Sequence, residues 1–103
     1  MPSINISYDR GVLQVEAVDI IRVEGLGNYT KIHFTSGHPV TVAKVLHWFE
    51  DHLPQELFAR IHRGHLVNKM FVDKINDDGC TFLLTNGEMI GMSRRKKGML
   101  LAG

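Results

Sequence analysis

The segment Phe58 to Phe71, FARIHRGHLVNKMF, places Arg60, His62, Arg63, His65, Asn68 and Lys69 between apolar ends. Such groups can meet phosphate oxygens as charged donors, or pair bidentately with base edges, Arg with guanine and Asn with adenine. Phe58 and Ile61 before the bend, with Leu66, Val67, Met70 and Phe71 after it, can anchor in a core. Gly64 permits a sharp bend between them, which would turn the polar groups outward from a fixed platform. A solvated turn in which Asn68 caps local backbone accounts for the same residue types. A second basic run, Ser93-Arg94-Arg95-Lys96-Lys97, follows a strand-like stretch. Four consecutive cations repel one another, so the run reads as a solvated tail or as the seat of a polyanion. A third polar loop, Gly27-Asn28-Tyr29-Thr30-Lys31, offers amide, phenol, hydroxyl and ammonium groups beside glycine.

Other chemistries find less support. Six histidines invite a metal reading, and His62 and His65 are three residues apart, but His33 and His38 fall in another hairpin. A zinc enzyme needs a third ligand and a base, and no HExxH or comparable spacing occurs. Structural or nucleic-acid-contacting histidines are the better reading. No G-x-S-x-G elbow is present. Cys80, in CTFLL, reads as a buried, inert thiol. Gly25-Leu26-Gly27 is a fragment of G-x-G-x-x-G, followed by a strand at Tyr29 where that motif requires a helix. The expectation is a protein without catalytic residues, metal or cofactor.

The formal charge of +1 conceals an asymmetry. Residues 1–59 carry four Lys/Arg against seven Asp/Glu, a net −3, whereas residues 60–103 carry eight against four, a net +4. A positive surface in the second part is what a polyanionic partner would use. At 103 residues, 44% apolar and 22% charged, the chain suits one ordered domain over 1–103 with a core from about 4 to 100. One cysteine allows no internal disulfide, and no apolar run approaches the roughly twenty residues of a membrane span. The N-terminus has neither the basic nor the apolar region of a signal peptide, so the expected location is the cytoplasm, away from membranes.

Short β-branched or aromatic runs predict strands over 4–8, 12–16, 20–24, 29–34, 58–62, 71–76, 80–85 and 88–93. Asp9-Arg10-Gly11, Gly25 to Asn28 and Ser36 to Pro39 punctuate them. Asp78-Gly79 and Asn86-Gly87 read as type I′ hairpin turns. Between Thr41 and Leu53 the period changes, since Val42, Leu46, Phe49 and Leu53 form one helical stripe that Pro54 stops. His47, Glu50 and Asp51 fall on its solvated face, and RRKKGMLLAG reads as a short terminal helix. The fold class is therefore mostly β, with antiparallel hairpins and one helix.

Taken together, DIIRVEGLGNYTKIHF (19–34), the helix ending at Leu53-Pro54, FARIHRGHLVNKMFVDKI (58–75) and MSRRKKGML (92–100) resemble the LytTR family of bacterial DNA-binding domains. The features cover nearly the whole chain in the family's order, and IHRGHLVN with a following NG hairpin and SRR is the specific combination. The resemblance implies an elongated stack of antiparallel sheets with short helical turns. It also implies a bacterial transcription regulator whose inter-strand loops enter successive major grooves of promoter DNA. Carried over by motif, the contacts are Asn28, Tyr29, Thr30 and Lys31, then His62, Arg63, Asn68 and Lys69 with His65 beside them, then Arg94 with Arg95, Lys96 and Lys97. Asn68 and Arg94 are the leading base readers; Arg63, Lys69, Arg95, Lys96 and Lys97 serve phosphate. Gly64 stands where the family usually has serine. The implied partners are double-stranded promoter DNA, bound by two copies on paired repeats, and an upstream sensor or receiver domain or a separate sensor protein. The alternative is a basic-loop module that binds RNA or an acidic protein without preference among duplex sequences.

Overall fold

Each β-branched run buries alternate side chains, and the shortness of the runs divides the chain into many strands rather than a few long ones. The structure, a computed structural model, describes residues 2–8, 11–76 and 80–91. Within them the strands are β1 (Ser3–Tyr8), β2 (Gly11–Glu16), β3 (Ile20–Leu26), β4 (Tyr29–Phe34), β5 (Val40–Val42), β6 (Phe58–His62), β7 (His65–Asn68), β8 (Val72–Ile75), β9 (Thr81–Leu84) and β10 (Met89–Gly91). The helix α1 spans Leu46–His52, and single 3-10 turns occupy Ala17–Asp19 and Lys69–Phe71.

All strand pairs are antiparallel and fall into three sheets: β1-β2, the central β5-β4-β3-β7-β6, and β10-β9-β8. One face of the central sheet packs Ile20, Val23, Ile32 and Leu66 against Ile4, Ile6 and Val15 of the first hairpin and Leu46 and Phe49 of α1. The other face packs Ile21, Ile61 and Val67 against Phe82, Leu84 and Ile90 of the third sheet. Stacking in this way produces an elongated body of 44 × 24 × 22 Å. No helix among the described residues is long and apolar enough to cross a membrane.

The sequence-based expectation of mostly antiparallel β structure with one helix is met, but four local readings are corrected. The helix does not begin near Thr41. Val40–Val42 pairs with the edge of β4 as β5, as its β-branched residues favour, and α1 starts only at Leu46. Val42, Leu46, Phe49 and Leu53 are all buried in one cluster nonetheless, so the apolar stripe reports the burial correctly and the backbone incorrectly. Secondly, the strand expected over 58–62 is present as β6, but the basic segment also holds a second strand that sequence pattern omits: β7 forms a hairpin with β6 and is an interior strand between β3 and β6. Thirdly, Asn86-Gly87 is not a type I′ turn, because only Gly87 has positive φ, at 91°. The Leu84 carbonyl accepts from Gly87 N–H and the Glu88 carbonyl accepts from Leu84 N–H, which makes a three-residue loop closed by a left-handed glycine. Finally, Cys80 is half-buried just before β9 rather than enclosed within it. The turns at Asp9-Arg10 and Asp78-Gly79, the end of the last predicted strand and the terminal helix lie outside the described residues.

Two polar side chains bind the layers together. Asn68 is fully buried: its Nδ2 donates to the Ile20 carbonyl at 3.0 Å and more weakly to that of Ala17 at 3.4 Å, while its Oδ1 accepts from Met70 N–H at 2.9 Å. Its amide thus ties the end of β7 to the start of β3 and caps the Lys69–Phe71 turn. Arg22, 7% exposed in the middle of β3, donates from Nε and Nη2 to the two carboxylate oxygens of Glu88, at 3.1 and 2.8 Å. This fork joins the central sheet to the loop between β9 and β10. Burial disfavours the Arg22 cation, but Glu88 and Glu24 outweigh burial and its pKa is raised. The Arg22 hydrogen bonds, against the opposing effect of burial, hold the Glu88 carboxyl at about 2.

Replacing Asn68 by Ala strands a buried carbonyl and a turn N–H, and should lower stability by about 2–3 kcal/mol, read as a reduced urea midpoint with an unchanged slope. The Glu88 contribution is fully present above the ordinary carboxyl pKa near 4.5 and disappears as pH falls through about 2. Accordingly Glu88→Gln should destabilise by about 1–2 kcal/mol at pH 7, limited because Glu88 keeps a third of its side chain in solvent. Urea titrations at pH 7, 4 and 2.5 should show a shallower acid decline in the variant than in the wild type.

Candidate nucleic-acid interface

β3 runs antiparallel to both β4 and β7, so the β3–β4 loop and the β6–β7 turn must emerge at the same end of the sheet. Leu26 faces Tyr29 across Gly27-Asn28, and Glu24 faces His65 across the neighbouring ladder. Gly27 has φ +69° and is the one positive-φ residue of its two-residue loop, as a type II′ hairpin with glycine first requires. The two tips touch: Gly25 N–H donates to the Gly64 carbonyl at 2.9 Å. The loops around residues 28 and 63, separate in sequence, thus share one end of the central sheet.

The side chains singled out by the sequence divide accordingly. Asn28 and Arg63 are exposed at this end, Tyr29 is 53% exposed, and Lys31, His62 and His65 are half-buried beside them. Thr30 is fully buried, and its hydroxyl donates to the Lys44 carbonyl at 2.6 Å, fixing the link between β5 and α1. Lys69 is exposed, but it follows the far end of β7, about 10 Å from the tip at the usual rise of a strand. Asn68 is enclosed at that same far end. The reading of Asn68 as a base contact is therefore corrected, because its amide is fully committed to backbone groups and out of reach of a ligand. Arg94, Arg95, Lys96 and Lys97 lie outside the described residues.

On the α1 side of the tip, Gly25, Gly27, Val45, His47, Arg63 and Gly64 border an open concavity of about 410 Å³. Arg60, at its edge, is already engaged: Nη1 donates to Glu50 at 3.1 Å and Nε to the His62 carbonyl at 2.9 Å. Lys44 lies over the Trp48 ring at 4.9 Å. Lys31, Arg63 and Lys69, by contrast, make no ion pair among the described residues, so their charges are open to an external anion. Sequence pattern alone does not point to Val45 or His47 here; His47 reads from it only as part of the solvated face of α1. A Cβ at Gly25 would stand 3.3 Å from the Leu46 side chain, a tight contact to which Leu46 would have to give by a few tenths of an ångström. Gly64, which permits a sharp bend, has no positive φ, and a Cβ there would find ordinary contact with His62 at 3.6 Å.

On the opposite side of the tip, a polar network leads inward. Glu24 Oε1 lies 3.1 Å from His33 Nε2 and 3.5 Å from Arg22 Nη1. Burial would raise the Glu24 pKa, but His33, Arg22 and His65 together lower it. Burial, followed by the nearby Arg22 cation, lowers the pKa of His65. That imidazole is consequently neutral at physiological pH. Among the described residues no group of three or more His, Cys, Asp or Glu is arranged to hold a metal ion.

Comparison with known proteins agrees with this geometry. A family model described as the LytTr DNA-binding domain matches residues 10–102, a range that includes the basic run at 94–97. Among solved structures, the fold is similar to the LytTr DNA-binding domain of a methyl-accepting/DNA response regulator from Bacillus cereus, with a TM-score of 0.81 and 20% identity over 99% of this chain and 95% of that one. No curated protein matches.

Proposed function

The chain belongs to the LytTR family of DNA-binding domains, and from that premise we propose that it binds duplex DNA sequence-specifically as a bacterial transcription regulator. The observation that carries the reading is the Gly25–Gly64 hydrogen bond between β3 and the β6–β7 turn, with the strand directions that bring the loops bearing Asn28, Tyr29 and Arg63 to one end of the central sheet. Arg63, exposed and without an ion pair, takes the base-reading role in this half of the interface. Arg94 keeps that role in the other half, on the strength of the motif. Lys31, Lys69, Arg95, Lys96 and Lys97 meet phosphates and set register.

The domain acts in this reading as the output module of a regulator, with two copies on paired promoter repeats and with the signal supplied by a receiver or other sensor. The relative from Bacillus cereus, described as part of a response regulator, supports that arrangement. The exposed Tyr29 favours one rival, stacking on the bases of single-stranded RNA. Duplex binding is favoured over it because the neighbouring side chains are cations rather than further aromatic platforms.

Selection of bound duplexes from a random pool at near-physiological salt should yield a preferred sequence with a repeat spacing. Binding that is salt-sensitive but indifferent to duplex sequence would remove this reading, and tighter binding to single strands would establish the rival. On the selected duplex, Arg63→Ala should cost about 1–3 kcal/mol and narrow the gap to random DNA. An equal loss on both would make Arg63 a phosphate contact. Lys31→Ala should weaken binding to all duplexes alike and reduce the slope of log K against log salt by about 1.

A further inference from the structure

The turn that carries Arg63 is held by two side chains of β6. Arg60 takes its carbonyls: Nε donates to the His62 carbonyl, and Nη2 donates to that of Arg63. His62 takes an amide, for its Nδ1 accepts from Gly64 N–H at 3.1 Å. An acceptor at residue i bonded to the N–H of residue i+2 is the arrangement of an Asx turn, here with imidazole in place of a carboxamide. Nδ1 can accept only while it carries no proton, so this hydrogen bond requires the neutral tautomer with its hydrogen on Nε2.

Resting on the DNA-binding reading, we propose that His62 is a positioning residue for Arg63, and that its protonation releases the turn and weakens sequence-specific binding. Once Nδ1 is protonated, two N–H donors face each other, Gly64 N–H loses its acceptor, and the Arg63 backbone is no longer fixed on that side. The added positive charge pulls in the opposite direction by attracting phosphate, but that attraction is shared by every duplex, whereas the position of Arg63 matters to the preferred one. Binding thus loses discrimination as pH falls.

The surroundings of His62 are themselves ionisable. His65 of β7 stands 5.5 Å away, ring centre to ring centre. Behind it lie Arg22 and Glu24 of β3, His33 of β4, and Glu88, bound to Arg22. Arg60 and Arg63 flank the turn itself, with Glu50 of α1 bound to Arg60 and His47 across the concavity. A pH profile of the wild type alone would mix these groups, so a variant must isolate His62. Asn supplies an i to i+2 acceptor that does not titrate. Ala supplies none.

The test has two arms. In the DNA-free protein, NMR follows the Gly64 amide from pH 8 to pH 5. Its hydrogen-exchange protection, corrected for intrinsic rate, should fall as the His62 ring protonates, persist at all pH in His62→Asn, and be absent throughout in His62→Ala. On the selected duplex, the ratio of specific to random binding should fall about tenfold between pH 8 and pH 5.5 in the wild type. That ratio should stay nearly constant in His62→Asn and be low at both pH values in His62→Ala. Insensitivity of the Gly64 amide to His62 protonation overturns the proposal. So does a gain in affinity on acidification that His62→Asn abolishes, since that would make His62 a direct phosphate contact. Absence of any preferred duplex would remove the functional reading instead, and the Gly64 amide would still decide whether the turn depends on His62.

Discussion

β3 is hydrogen-bonded along both edges and covered on both faces, and the rest of the structure follows from accommodating it. Ile20 and Val23 point into one core and Ile21 into the other, with all three at most 5% exposed. A strand in that position leaves no solvent for a charge, yet Arg22 stands in its middle. Near Arg22 the register shifts against β4, and the side chain points to the face that carries the third sheet. Without Glu88 the buried Arg22 cation keeps only its longer contact with Glu24 at 3.5 Å, which makes the β9–β10 loop a companion of β3.

That constraint reaches the candidate interface through strand direction. Because β4 and β7 both run against β3, its C-terminal end is necessarily the place where two connections meet. The Gly25 to Gly64 hydrogen bond then makes two loops into one surface. Rigidity there comes from backbone bonding, from the buried Thr30 hydroxyl and from the Arg60 and His62 clamps, rather than from ion pairs of Lys31 or Arg63 with acidic neighbours. The cations can then stay open to a polyanion, and a side chain held on a fixed platform loses less freedom on binding than one on a loose loop.

Charge is also sorted by depth. Arg22 and Arg60 are neutralised by Glu88 and Glu50, whereas Arg63 and Lys69 of the second part make no ion pair among the described residues. Lys31, from the acidic part, joins Arg63 at the tip, whereas Lys69 is carried to the other end of β7. The division of the sequence at residue 59 predicted a positive surface but not its membership. Pairing between distant strands determines that membership.

The sequence by itself determined the element types and most of their positions. Alternation and β-branching located eight of the strands, turn residues located most of the hairpins, and the stripe Val42, Leu46, Phe49 and Leu53 identified the residues that α1 and its flanks bury. These are local properties, fixed by side-chain periodicity and backbone preference within a few residues. It also identified the motif set that marks the family. The tertiary structure alone decided that β5 and β7 are strands, since each is short and gains its stability from neighbours remote in sequence. It alone separated Arg63, at the tip, from Asn68, whose composition suits base recognition equally well but whose amide is consumed by carbonyls 48 and 51 residues away. Residue type sets what a side chain can bond to, and only long-range packing decides whether water, the backbone or a ligand is within its reach.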